Sequence, residues 1–149
     1  MPVSEITFPT TKWNLSVRES NEATLVSSRE SPERELLRVD IKKADTQTVW
    51  HIQLSQAPLK VESQHRYRLS FRARANGTRK VDLGFVMNHD PWTGLGLYKS
   101  LDLNPGWQSF EEEFVATADD DNAQILFNLG GNGISAEFGD VKLYHIGKK

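Results

Sequence analysis

A chain of 149 residues, 38% of them hydrophobic, is the size of one domain with its own core; at a net charge of −2 it carries no basic stripe to neutralise phosphates, so nucleic acid is excluded as a partner. The absence of cysteine removes disulfides, thiol nucleophiles and cysteine-based zinc sites together. No segment approaches the roughly 20 apolar residues that span a bilayer, so no membrane partner is expected. Met1 to Glu5 lack the basic-then-apolar order of a signal peptide, and the two ends read as the edges of a piece of a larger exported protein.

Alternation of apolar and polar residues recurs along the chain, and helical periodicity is scarce. The span from Arg29 to Arg34 is the least structured interior stretch and reads as a loop. Glu35-Leu-Leu-Arg-Val-Asp-Ile41 then sets Leu37, Val39 and Ile41 on one face of a half-buried strand. Trp50, Ile52 and Leu54 alternate with His51 and Gln53 until Gln56-Ala-Pro58, where the proline removes a ladder donor and is expected to end the strand. In Tyr67-Arg-Leu-Ser-Phe-Arg-Ala-Arg-Ala75, every second residue from Tyr67 faces in, while Arg68, Ser70, Arg72 and Arg74 face out. Asn76-Gly77 supplies the positive-φ pair of a tight turn, and Val81, Leu83, Phe85 and Met87 resume the alternation, so this is a hairpin.

Residues 97–103 form a short mixed strand, Asn104-Pro-Gly106 a turn, and Trp107, Phe110 and Phe114 punctuate a strand bearing Glu111, Glu112 and Glu113. After the polar loop Ala118-Asp-Asp-Asp-Asn122, Ile125, Phe127 and Leu129 face in opposite Gln124, Leu126 and Asn128. Gly130-Gly-Asn-Gly133 turns the chain into a last strand through Phe138, Val141 and Leu143. Nine or ten strands result, which predicts an all-β fold: one domain over residues 1–149, a two-sheet antiparallel β-sandwich of jelly-roll type. Leu37, Val39, Ile52, Leu54, Leu69, Phe71, Leu83, Phe85, Phe114, Ile125, Phe127 and Leu143 are its expected core.

Catalytic chemistry finds little support. His51, His65, His89 and His145 are scattered, none at zinc-site spacing, and read as exposed or hydrogen-bonded histidines. The runs Glu111-Glu112-Glu113 and Asp119-Asp120-Asp121 could supply a glycosidase's two carboxyls but read as solvated faces. Gly94-Leu-Gly96 lacks the rest of a dinucleotide fingerprint. Four tryptophans are the stronger signal, because a pyranose offers an apolar face to a flat aromatic and a hydroxyl rim to amides and cations. Trp92, in the loop Asn88-His-Asp-Pro-Trp-Thr-Gly94, is the leading platform candidate. Trp50 is either a platform or core, and Trp13 and Trp107 read as core. Outward His51, Gln53, Arg72, Arg74, Asn88, Gln124 and Asn128 would form an amide- and cation-rich surface if their strands neighbour one another; which sheet carries the face stays open.

Trp50-His-Ile-Gln-Leu54, Tyr67 to Ala75, Trp107-Gln-Ser-Phe110 with Phe114, Ile125-Leu-Phe-Asn-Leu-Gly130 and Gly139-Asp-Val-Lys-Leu143, in this order over residues 13–145, resemble successive strands of the carbohydrate-binding modules of families 4, 9 and 22. The resemblance implies a non-catalytic jelly roll, not an enzyme. It would bind a polysaccharide or oligosaccharide of β-glucan or xylan type in a cleft on the concave sheet, with Trp50 and Trp92 stacking on sugar. It also implies a monomeric module tethered to a larger protein, extracellular or periplasmic and often attached to a glycoside hydrolase. A structural calcium with Asp140 as one ligand is a further implication; the family's Asn-Gly-x-Phe-Glu opening is missing, Glu5 and Phe8 standing nearest to it. The alternatives are a β-sandwich for a small ligand or a protein partner within a larger exported protein, and an unrecognised hydrolase.

Overall fold

The computed structural model describes residues 3–6, 13–31, 34–46 and 48–148. Among them the alternating segments form eleven strands: β1 (Ser4–Ile6), β2 (Asn14–Val17), β3 (Glu22–Ser31), β4 (Arg34–Lys43), β5 (Ile52–Val61), β6 (His65–Ala75), β7 (Arg79–Met87), β8 (Gly94–Leu103), β9 (Gln108–Val115), β10 (Asp120–Asn128) and β11 (Ala136–Lys148). They pair antiparallel in two sheets. The six-stranded sheet runs β3-β4-β11-β6-β9, with β1 beside the second half of β11; the five-stranded sheet runs β2-β5-β10-β7-β8. From β4 onward the chain crosses between sheets at almost every connection, the jelly-roll pattern, so each sheet is assembled from strands distant in sequence.

All twelve expected core residues are buried between the sheets. Phe127 of β10 sits at the centre, its ring centroid 4.3 Å from Phe138 and 5.2 Å from Phe71 on the opposite sheet, and 6.2 Å from Trp13. Trp13, 7% exposed, belongs to this core as expected. Trp107 does not. It is only partly buried at the entry to β9, and the guanidinium carbons of Arg72 and Arg74 lie 4.4 and 4.5 Å from its ring, so it packs on the outer surface of the six-stranded sheet. Its sequence environment was that of a core residue; the outward phase of the two arginines drew the ring out as a cation–π partner.

The hairpin expected around Asn76-Gly77 does not form: β6 pairs with β11 and β9 in one sheet and β7 with β10 and β8 in the other, so this turn carries the chain between sheets, and turn residues fix a reversal without fixing which strands pair. Two boundaries also differ from the sequence reading. The strand expected to stop at Pro58 continues to Val61, because Ala57 and Pro58 fall in an irregularity between the pairs Gln56–Ile125 and Leu59–Ala123, where no ladder donor is required. The expected loop from Arg29 to Arg34 is largely an edge hairpin: backbone pairing runs from Arg29–Glu35 to Ser31–Arg34, with residues 32 and 33 outside the described set. Backbone pairing at a sheet edge needs no apolar face, so alternation carried no signal there.

Replacing Phe127 by Ala removes the ring that touches both sheets, and should destabilise the domain by about 3–5 kcal/mol in urea unfolding followed by tryptophan fluorescence. A loss under about 1 kcal/mol would contradict its place at the centre of the core.

Candidate functional site

The period of two that buries Ile125 and Phe127 turns Gln124, Leu126 and Asn128 to the outer face of the five-stranded sheet. Register then brings Gln53 of β5 and Asp82 of β7 to either side of Asn128, and sets Tyr98 of β8 opposite Gly84 of β7. Gly84 lets this face close up: a Cβ there would lie 3.0 Å from the Tyr98 ring and 3.2 Å from Leu126, so the phenol lies across bare backbone beside the leucine. Gln53 Nε2 donates to Asn128 Oδ1 at 2.9 Å, Asn128 Nδ2 donates to the Tyr98 hydroxyl at 3.1 Å, and that hydroxyl reaches Asp82 Oδ2 at 3.5 Å. A polar relay thus crosses four strands, each side chain's orientation fixed by the next. Gln124, nearly buried, donates to the carbonyl of Met87 at 3.3 Å.

An exposed aromatic stands at each end of this face. Trp50, 50% exposed, lies in the 3-10 turn Val49–His51 that leads into β5. His51 contacts the Trp50 ring edge-on at 4.5 Å and holds Asp45 through Nδ1 at 2.8 Å, while the Arg18 guanidinium lies 5.7 Å from the indole. Beneath the turn, Gly130 donates to the Val49 carbonyl at 2.8 Å; any side chain at Gly130 would strike the carbonyls of Thr48 and Val49. Arg79, almost fully buried, secures this seat by donating to the carbonyls of Leu129 at 2.8 Å and Ile134 at 2.7 Å. Burial pulls its pKa down to about 10, which leaves it charged at neutral pH.

Trp92, 58% exposed, lies in the loop between β7 and β8 with φ of 62°, a left-handed conformation rarely held by a bulky residue. Such strain persists only where surrounding bonds over-determine it. Here Met87 donates to the Thr93 carbonyl at 3.0 Å, the Asn88 amide N–H to the Asn122 carbonyl at 2.9 Å, and the Asn88 side chain to Asn122 Oδ1 at 3.3 Å. His89 ties the loop to β10: Nδ1 meets the Asp90 carbonyl at 3.0 Å and Nε2 meets Asp120 Oδ2 at 2.7 Å. Both partners are acceptors, so only the doubly protonated ring donates to both at once, and the Asp120 hydrogen bond raises its pKa above the ordinary 6.5.

The candidate residues therefore separate. Gln53, Gln124 and Asn128 share one face; the Trp50–His51 turn lies at the Asn128 end of β10 and the loop with Asn88 and Trp92 at its Asn122 end. Arg72 and Arg74 belong to the other sheet: Arg72 Nε donates to Asp140 Oδ2 at 2.9 Å, and Arg74 is paired with Glu137 at 3.1 Å. Outward phase along one strand could not reveal which sheet that strand would join. Tyr98, 59% exposed, and Asp82 escaped notice, although Leu95, Leu97, Leu101 and Leu103 alternate and leave Tyr98 outward.

A guanidinium faces the Asp140 carboxylate, and no described cluster of three or more His, Asp and Glu side chains able to share an ion includes it. Glu5 is exposed on β1 with Lys142 Nζ 3.9 Å away, and Phe8 lies outside the described residues.

Residues 3–136 match the family model described as "Carbohydrate binding domain". Among solved structures, one titled "CBM4 structure and function" aligns with 26% identity and a TM-score of 0.75, covering 89% of this chain and 86% of that one. The N-terminal cellulose-binding domain of Cellulomonas fimi β-1,4-glucanase C aligns with 20% identity and a TM-score of 0.63 over 88% of this chain and 86% of its own. The CBM22-1–GH10 modules of Clostridium thermocellum endo-1,4-β-D-xylanase 10B, complexed with xylohexaose, align with 12% identity and a TM-score of 0.63 over 98% of this chain and 29% of theirs. No curated protein sequence matches the chain. With the family model matching residues 3–136 of this two-sheet sandwich, the chain belongs to the carbohydrate-binding domain family.

Proposed function

We propose that the outer face of the five-stranded sheet binds one chain of a β-glucan or xylan without cleaving it. The observation that carries this reading is the relay Gln53–Asn128–Tyr98–Asp82 lying between two exposed tryptophans. The relay is ordered before a ligand arrives, which lowers the entropic cost of binding hydroxyls, while Trp50, Trp92 and Tyr98 offer flat apolar surface to sugar rings. From the Asn128 row near Trp50 to the Ala123 row near the Trp92 loop, β10 runs about 17 Å. That length suits an extended chain of several rings better than a single sugar, and the cellulose-binding and xylohexaose-bound neighbours agree with a β-linked polymer. Cleavage would call for two carboxyls across the bond, and Asp82 is the one carboxylate in the relay. In this reading the domain is a monomeric targeting module of a larger exported protein, extracellular or periplasmic.

Trp50→Ala and Trp92→Ala should each weaken binding of a glucan or xylan oligosaccharide by about thirtyfold, with little change in melting temperature. Tyr98→Phe, which removes the hydroxyl joining Asn128 to Asp82, should cost about tenfold. Arg72→Ala and Arg74→Ala, on the opposite sheet, should leave affinity unchanged. Calorimetric titration of the five variants decides the matter: loss of binding in the arginine variants with retention in the tryptophan variants would move the site to the six-stranded sheet.

We also propose that Asp140 serves as counterion to Arg72 instead of holding calcium. A calcium-selective chelator should then leave the melting temperature unchanged and Asp140→Ala should lower it; a chelator-induced drop would restore the calcium reading.

Because the folded-state pKa of His89 is raised, its contribution to holding the Trp92 loop is fully present below about pH 6.5 and fades as pH rises through the folded value. An NMR titration of the His89 ring should give a midpoint above 6.5, falling toward the ordinary value in Asp120→Asn. A midpoint at or below 6.5 in the parent would mean the ring is not the doubly protonated tether.

A further inference from the structure

At the opposite end of β5 from Trp50, the antiparallel pairing of β6 with β11 brings together two histidines 80 residues apart in sequence. His65 opens β6 and His145 stands in β11 beside Tyr67; both are half-buried, with ring centroids 5.1 Å apart. Their facing nitrogens, His65 Nδ1 and His145 Nε2, are 2.8 Å apart, and Glu62 Oε2 lies 3.5 Å from the same His65 Nδ1. One ligand atom from each of the three side chains falls within a 4.8 Å span, and among the described residues no other His, Asp and Glu cluster of this kind occurs.

We propose that Glu62, His65 and His145 form a binding site for a divalent transition cation of the zinc, nickel and copper class. Two imidazoles and a carboxylate are a donor set suited to these ions, and three protein ligands leave a fourth position for water. At Zn–N distances near 2.0–2.1 Å, tetrahedral ligands stand about 3.3 Å apart, so the Glu62–His65 spacing already fits and the histidines need separate by only about half an ångström. In the unmetallated pair, one nitrogen must donate the proton that the other accepts; the cation replaces that proton and gives the exposed carboxylate a partner.

The frame is set beforehand. The His65 amide donates to the Glu62 carbonyl at 3.1 Å, closing the turn between β5 and β6, and the Glu62 amide donates to the Tyr67 hydroxyl at 3.0 Å. The turn is pinned to the end of β9 by Gln64 donating to the Ala116 carbonyl and Ala116 to the His65 carbonyl, both at 2.9 Å. A bound cation would staple this turn to β11 and tighten one end of the sandwich, independently of the carbohydrate face.

The test is calorimetric titration of the whole chain with zinc chloride, beside thermal melts. The expected result is one zinc per chain, and a melting temperature higher by about 5–10 °C when free zinc exceeds its dissociation constant a hundredfold. His65→Gln and His145→Gln should each weaken binding by a hundredfold or more, since even supporting residues of metal sites cost ten- to a hundredfold. Glu62→Gln, at an exposed position where folding is not at risk, should weaken it about tenfold; His51→Gln should bind as the parent does. Calcium at millimolar concentration should not displace the zinc. The proposal is overturned if the parent binds no zinc at 1 mM, if Glu62→Gln and His65→Gln bind as the parent does, or if calcium competes. Sugar binding by the Glu62→Gln variant is expected to be unchanged throughout.

Discussion

Burial of Phe127 between the sheets is the constraint on which the proposed binding face depends. The ring touches Phe71 and Phe138 across the sandwich and Trp13 near its edge, so a slip of one residue in β10 would expel it and bring a polar neighbour into the core. With Phe127 held inward, a period of two leaves Gln124, Leu126 and Asn128 no choice but the outer face. The strongest apolar interaction of the core thereby sets the position of the polar groups opposite. Because β10 is the central strand of its sheet, Asn128 has neighbours on both sides and can pass the relay from β5 to β8.

A second dependency runs through Arg79. A buried guanidinium is costly to desolvate unless its donors are satisfied, and here backbone carbonyls of the connection between β10 and β11 accept them. That connection is the seat on which the Trp50 turn rests, where only a glycine at 130 permits the approach. The exposure of Trp50 is therefore a consequence of a buried cation and a missing side chain, neither of which touches the indole. Trp92 is secured differently, by surface hydrogen bonds around a strained backbone and by a histidine whose two ring nitrogens each face an oxygen acceptor. The two exposed tryptophans are thus held by different means, one over a packed glycine turn and the other by hydrogen bonds that include a histidine.

The opposite sheet shows why outward polar residues are weak evidence of a site. Its outer surface consists of cross-strand ion pairs, Arg68 with Glu111 and Glu113, Arg72 with Asp140 and Arg74 with Glu137, and its tryptophan lies against two guanidiniums. Those arginines are occupied by partners on neighbouring strands. On the five-stranded sheet the amides of Gln53 and Asn128 and the phenol of Tyr98 are bonded to one another, with Asn128 buried and Tyr98 exposed.

Within the chain, local pattern was sufficient for anything that repeats every two residues. The strands from β4 onward, the twelve core residues and the outward phase of Gln53, Gln124 and Asn128 are legible because a pleated strand converts sequence parity directly into inside and outside, whereas the turn signal at Asn76-Gly77 marked a reversal of the chain and not a pairing of the strands it joins. Parity carries no information about partners. That Arg72 lies on one sheet and Asn128 on the other, that Trp107 leaves the core for two arginines, and that His65 meets His145 follow from the order in which a jelly roll interleaves its strands. That order comes from long-range pairing between segments far apart in sequence, so only the tertiary structure decided which outward residues share a surface.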